Sequence, residues 1–185
     1  VRDVASAKDR KDRLERVRFT SIAWTADNRG FYYCRYPENE EHYQKLYYHV
    51  VGQPQAQDRL VYERPDDKDL GFEAKVSDDG RWLVVQVWKG TATEKEIYVQ
   101  DLQAKGSALA PLFTGFEHDF EFIDAAAAKL YFQTDMNAPR RRIVAVDMAA
   151  AGHTPVEVVP EHASDVISLA RLAHGGLALV SMHNA

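Results

Sequence analysis

Short apolar runs return along the chain at a nearly constant interval. Phe31-Tyr32-Tyr33, Leu83-Val84-Val85, Leu130-Tyr131-Phe132 and Leu177-Ala178-Leu179 begin 52, 47 and 47 residues apart. A second series, Leu46-Tyr47-Tyr48, Ile97-Tyr98-Val99 and Ile143-Val144-Ala145, is offset by 51 and 46. A third, Leu60-Val61-Tyr62, Leu112-Phe113 and Val158-Val159, is offset by 52 and 46. Three series in step point to a structural repeat, because chance readily supplies one such series but not three. Each run is short and flanked by turn residues, as strands are. No stretch keeps apolar residues at helical spacing over several turns, so no helix is expected.

One further strand is expected before each unit's first apolar run, over Arg18–Trp24, Phe72–Val76, Phe120–Ile123 and Val166–Leu172. Tight turns join them to the runs. Asp27-Asn28-Arg29-Gly30, Asp78-Asp79-Gly80 and His174-Gly175-Gly176 supply residues that tolerate positive φ, whereas Asp124 followed by Ala125–Ala128 makes a poorer turn. Loops are expected over Glu38–Tyr43, Gln103–Ala110 and Ala149–Thr154. The arithmetic is four strands per unit, with units over 17–63, 71–113 and 118–159 and a partial unit over 165–185. A period near 47 with four strands is that of β-propeller blades. A β-solenoid uses shorter repeats, and a sandwich has no fixed four-strand period. The fold class read here is all-β, a partial propeller of about three and a half antiparallel blades.

The composition agrees with a globular β protein: 45% hydrophobic and 11% aromatic residues in a chain of 185. A net charge of −5 gives no electrostatic footprint for nucleic acid or an anionic membrane, and neither partner is expected. Arg140-Arg141-Arg142 reads as turn and edge charge. Cys34 is the single cysteine, so no internal disulfide forms and no oxidising compartment is required. Inside the run Phe31–Cys34 it reads as a packing residue. The apolar runs are too short for a membrane helix, and Val1–Arg18 is too charged for a signal peptide. The expected compartment is the cytoplasm, with the periplasm as alternative. The chain opens part-way through its pattern and without Met, so both ends are expected to continue in a longer protein.

Motifs that would carry chemistry are missing. There is no G-x-S-x-G nucleophile elbow, no H-E-x-x-H or C-x-x-C zinc pattern and no glycine-rich phosphate loop. Asp66-Asp67-Lys68-Asp69 lacks the offsets of a calcium loop. No catalytic residue, metal or cofactor is expected in this chain. His49 ends a strand, while His42, His153, His162 and His174 fall in loops; most of these rings read as solvated. His118 and Asp119 point to opposite faces if both are in a strand. Trp24, Trp82 and Trp88 fit strand positions where packing is the default.

Several segments, taken together, resemble a known family. They are Trp24-Thr25-x-Asp27-x-x-Gly30-Phe31-Tyr32-Tyr33, Gln44-Lys45-Leu46-Tyr47-Tyr48-His49-x-x-Gly52, Asp58-x-Leu60-Val61-Tyr62-Glu63-x-Pro65-Asp66 and Val76-Ser77-Asp78-Asp79-Gly80-Arg81-Trp82-Leu83-Val84. Thr134-Asp135-x-x-Ala138-Pro139-x-x-Arg142, Val159-Pro160-Glu161 and Met182-His183-Asn184-Ala185 continue the series, with Asn184 standing where the family usually has Asp. They resemble the propeller domain of prolyl oligopeptidases, in the family's order and near its spacing. The resemblance implies a serine endopeptidase that cuts short peptides after proline. A seven-bladed propeller there caps an α/β-hydrolase domain bearing a Ser-Asp-His triad. Implied partners are short proline-containing peptides and that catalytic domain of the same parent chain; by itself the segment is expected to be inactive. The propeller's implied role is to gate and line access to the catalytic site. Phe19 falls on a family position that lines the substrate pocket, against the alternative of a blade-core aromatic. Val87–Thr91 falls on a second such position. Some members carry there an Arg that grips a peptide carbonyl and a nearby Cys; Trp88 and Thr91 replace them and imply a more apolar pocket. Two other readings are an oligopeptidase that cuts after basic residues and a non-enzymatic propeller scaffold for protein partners. Arg64-Pro65-Asp66-Asp67 and Val87-Trp88-Lys89-Gly90 favour the proline type. Blades with open edges are expected to self-associate when isolated.

Overall fold

The computed structural model describes residues 1–173 and 175–183. After a small hairpin of β1 (Arg2–Asp3) and β2 (Lys8–Asp9), the strands follow in chain order. The first sheet holds β3 (Ala23–Trp24), β4 (Gly30–Arg35), β5 (Lys45–Val50) and β6 (Arg59–Tyr62). The second holds β7 (Leu70–Val76), β8 (Trp82–Lys89), β9 (Lys95–Asp101) and β10 (Ala110–Phe113). The third holds β11 (Phe120–Ala126), β12 (Lys129–Thr134), β13 (Arg142–Asp147) and β14 (Pro155–Val159). A hairpin of β15 (Asp165–Ala173) and β16 (Gly176–His183) ends the described residues. Within each four-stranded sheet the strands lie in chain order. Among the described residues the single helical turn is a 3-10 turn at Gln55–Gln57.

By internal contacts the chain divides into two compact units, Val1–Val76 with Val87–Thr91, and Ser77–Gln86 with Ala92–Ala185. In the first, Phe31, Tyr32, Tyr33 and Cys34 of β4 are all buried, so this strand is covered on both faces and reads as a continuous apolar run. Ala23, Leu46, Leu70, Phe72, Ala74 and Val87 are buried in the same unit. In the second, Val84, Ile97, Phe120, Phe122, Leu130, Phe132 and Val144 form one cluster, with Phe113 stacked on Phe120 at 4.1 Å between ring centroids. Burial of each such side chain contributes about 1.5–3 kcal/mol.

The turns differ from expectation in two respects. The left-handed position falls on Asn28 (φ 55°), Gly80 (φ 70°), Ala127 (φ 53°) and Gly175 (φ 78°). Gly30 is not that residue: it lies in β4, where a Cβ would collide with the His49 carbonyl and the Tyr48 ring. The first two turns share their chemistry. Asp27 accepts from the Thr25 hydroxyl at 2.7 Å and the Arg29 N–H at 3.0 Å. Asp79 accepts in the same way from Ser77 at 2.6 Å and Arg81 at 3.0 Å. Asp124, expected in a turn, is buried instead and accepts the N–H of Asp78 at 3.0 Å. Burial raises its pKa. His174 lies outside the described residues.

A repeated polar contact links successive sheets within each unit. Cys34 Sγ in β4 donates to the Phe72 carbonyl of β7 at 3.1 Å. Gln86 Oε1 in β8 accepts the Phe122 N–H of β11 at 2.8 Å, and Gln133 Nε2 in β12 donates to the Ile167 carbonyl of β15 at 3.2 Å. Each comes from the second strand of a sheet and ends on the first strand of the next. The arginine run is absorbed by local acids, as Arg141 reaches Asp119 at 2.9 Å and Arg142 reaches Glu157 at 3.2 Å.

Candidate functional site

The strand expected over Arg18–Trp24 forms only at Ala23–Trp24. Before it, side chains take over from the backbone ladder. Gln44 Nε2 donates to the carbonyls of Arg18 and Phe19, each at 3.1 Å. Thr20 Oγ1 accepts the Cys34 N–H at 2.7 Å, and the Ser21 hydroxyl donates to the Ala74 carbonyl at 3.1 Å. Held this way, Phe19 adopts φ 48° and leaves 75% of its surface exposed. It is therefore not a blade-core aromatic. A bulky side chain in the left-handed region costs about 1–2 kcal/mol, so the surrounding contacts must impose that backbone.

Trp88, near the end of β8, packs against the backbone of Gly71 in β7, where a Cβ would run into its ring. Gly90 turns the chain at φ 58° and exposes Thr91 directly after it. Phe19, Trp88 and Thr91 line one open cleft of about 660 Å³, together with Leu70, Tyr36 and a set of charged residues. Those charges are largely paired: Arg18 with Glu41 at 2.6 Å, His42 with Asp69 at 3.1 Å and Lys89 with Asp67 at 2.6 Å. Such exposed pairs add little stability. They leave a local field close to neutral around an aromatic surface, which suits an apolar or uncharged peptide segment. The residues that line the cleft include no serine or cysteine.

A second cluster escaped the sequence reading. His49 is fully buried, not solvated. Its Nδ1 meets Asp58 Oδ1 at 2.8 Å and its Nε2 meets Asp12 Oδ1 at 3.2 Å. Tyr33 donates to Asp58 at 2.7 Å and accepts from Gln55 Nε2 at 3.0 Å. Burial and the neighbouring Asp58 raise the Tyr33 pKa. Asp12 also accepts the Gly52 N–H. Burial pushes the Asp12 carboxyl up, but the Gly52 and His49 hydrogen bonds outweigh it and hold the group below its usual range. The cluster ties the segment before β3 to β5. His49 lies on the face of β5 opposite Leu46, in register with Phe31 of β4, and the carboxylates of Asp12 and Asp58 close over it. That cover had no mark in the sequence.

Cys34 is the packing residue expected: burial pushes its thiol up to about 12, which removes it as a nucleophile at neutral pH. Among the described residues no cluster of His, Cys, Asp and Glu could hold a metal ion. None of their helices is long and apolar enough to cross a membrane.

The family model for the prolyl oligopeptidase N-terminal β-propeller domain matches residues 1–185. The chain belongs to that family. This prolyl oligopeptidase propeller is 29% identical to prolyl oligopeptidase A of Galerina marginata, over 96% of the chain and 27% of the relative. It is 32% identical to the prolyl endopeptidase of Elizabethkingia meningoseptica, over 78% of the chain and 21% of the relative. A solved structure from a study of two prolyl endopeptidases superposes with a TM-score of 0.93 at 28% identity, covering 98% of the chain and 27% of its own. The chain thus spans about a quarter of the length of the curated relatives it matches. The four-stranded antiparallel sheets are part of a prolyl oligopeptidase propeller.

Proposed function

We propose that these sheets line and gate the access of short proline-containing peptides to a serine-type endopeptidase site carried by an α/β-hydrolase domain of the same parent chain. The blades then run over 17–63, 71–113 and 118–159, with a partial blade over 165–185. Phe19, Trp88 and Thr91 touch the substrate on the N-terminal side of the proline. The observation that carries this reading is the gathering of those three residues on one cleft, with Phe19 turned outward at a backbone cost. A solvent-facing aromatic in a disfavoured conformation is explained by a ligand better than by packing. The cleft supplies stacking area and no reactive group, so it contributes binding and positioning while the chemistry occurs elsewhere in the parent.

The test uses the full-length parent with proline peptides of graded length. Phe19→Ala and Trp88→Ala are expected to raise KM for peptides extended before the proline, leaving kcat and the turnover of minimal substrates near the parent value. An unchanged KM for the extended peptides would rule the cleft out as a substrate surface. The 185-residue chain alone is expected to hydrolyse none of them.

A further inference from the structure

Gln44 occupies an unusual position for an amide side chain. It is 2% exposed, and every polar atom it carries is engaged. Its Nε2 reaches the two successive carbonyls of Arg18 and Phe19 at 3.1 Å, and its Oε1 accepts the Phe72 N–H of β7 at 2.7 Å. These partners fix the amide's orientation, since carbonyls face the nitrogen and an N–H faces the oxygen. The side chain therefore bridges a rigid strand and an otherwise unladdered segment. The carbonyl it holds belongs to the residue with φ 48°. The backbone beside Gln44 is itself turned: Tyr43 sits at φ 57°, with its N–H bonded to the Lys68 carbonyl at 2.9 Å.

The geometry points to Gln44 as a positioning residue that acts through Phe19: by clamping the Phe19 carbonyl to β7 it holds the ring out into the cleft and so sets the affinity for extended peptides. The inference rests on the cleft being a substrate surface. Free of the clamp, residue 19 would relax toward negative φ, and the ring would leave its place in the cleft. Among the described residues, Gln44 is the side chain that hydrogen-bonds to Phe19's backbone carbonyl. Thr20 and Ser21 anchor the following residues, so the segment stays attached when the Gln44 contact is lost.

The experiment is made in the full-length parent, with 4-fluorophenylalanine placed at position 19. Gln44→Met keeps length and volume and removes all three hydrogen bonds. It is expected to move or broaden the fluorine resonance and to raise KM for extended peptides roughly fivefold, the equivalent of one lost hydrogen bond's net contribution. Turnover of minimal substrates should not change. Added to Phe19→Ala, it should raise KM no further, because the ring through which it acts is gone. Gln44→Glu keeps the acceptor for Phe72 and, while its buried carboxyl is protonated, one donor; the fluorine signal should stay near its parent position at low pH and depart as pH rises. This second variant decides the matter if Gln44→Met does not fold. An unmoved fluorine signal in folded Gln44→Met, or in folded Gln44→Glu across the whole pH range, or additive KM effects in the double variant, would overturn the positioning role. If Phe19→Ala itself leaves KM unchanged, the cleft reading fails, and the fluorine signal still reports whether Gln44 holds the ring.

Discussion

Buried between Asp12 and Asp58, His49 fastens the polar N-terminal segment to the first sheet. The fastening depends on pH. Asp12 has a folded-state pKa below its ordinary 3.8, so its contribution is fully present above 3.8 and is lost as pH falls through the lowered value. Acidification below about pH 3.8 is therefore expected to release the Gly52 amide and the first residues before the strands melt. Hydrogen exchange followed at the Gly52 N–H would report it. Protection that persists unchanged until global unfolding would show that the latch does not open separately. This cluster was not legible in the sequence: its partners lie 37 and 9 residues away from His49, and no local pattern names them.

At the level of the strands, the apolar runs were sufficient guides wherever a strand is covered on both faces, as β4, β8 and β12 are. They misled at Arg18–Trp24, whose apolar residues suggested a ladder that side-chain contacts replace. The third sheet's turn was correctly read as poor: Ala127 adopts φ 53°, where glycine would be at ease. Ala127→Gly is expected to stabilise the protein by about 0.5–1 kcal/mol, measured as a raised urea midpoint. The sheet-to-sheet contacts of Cys34, Gln86 and Gln133 share the repeat's period, but three different donor and acceptor patterns hid them. Gln86→Leu leaves the buried Phe122 N–H without that acceptor and is expected to cost about 1–3 kcal/mol in a urea titration. Cys34→Ala should cost less, because the thiol is a weak donor and Gln44 already satisfies the Phe72 N–H.

For the molecule as a whole, the fold class followed from periodicity, because each repeat buries its apolar runs in the same order. The cleft did not, because it gathers Phe19, Leu70 and Trp88 from separated segments; only the family resemblance marked Phe19 and Trp88 as neighbours in function. Within the described residues β16 pairs with β15 alone, and Leu169, Leu179, Val180 and Met182 of this hairpin are exposed. A free strand edge with apolar side chains is a template for association. The isolated chain is expected to self-associate in light scattering, and Val180→Lys with Met182→Glu to reduce it. A monodisperse monomer before mutation would contradict this.

The left-handed phenylalanine also sets two selections against each other. Glycine or asparagine would fit the backbone of position 19 with less strain, but neither offers a ring to the cleft. In a library propagated for heat resistance alone, position 19 should therefore drift toward those residues. In one propagated for peptide turnover by the whole enzyme, it should keep its aromatic. The two populations would diverge at this site while agreeing through the buried strands, so sequencing them would separate what residue 19 does for the fold from what it does for the ligand.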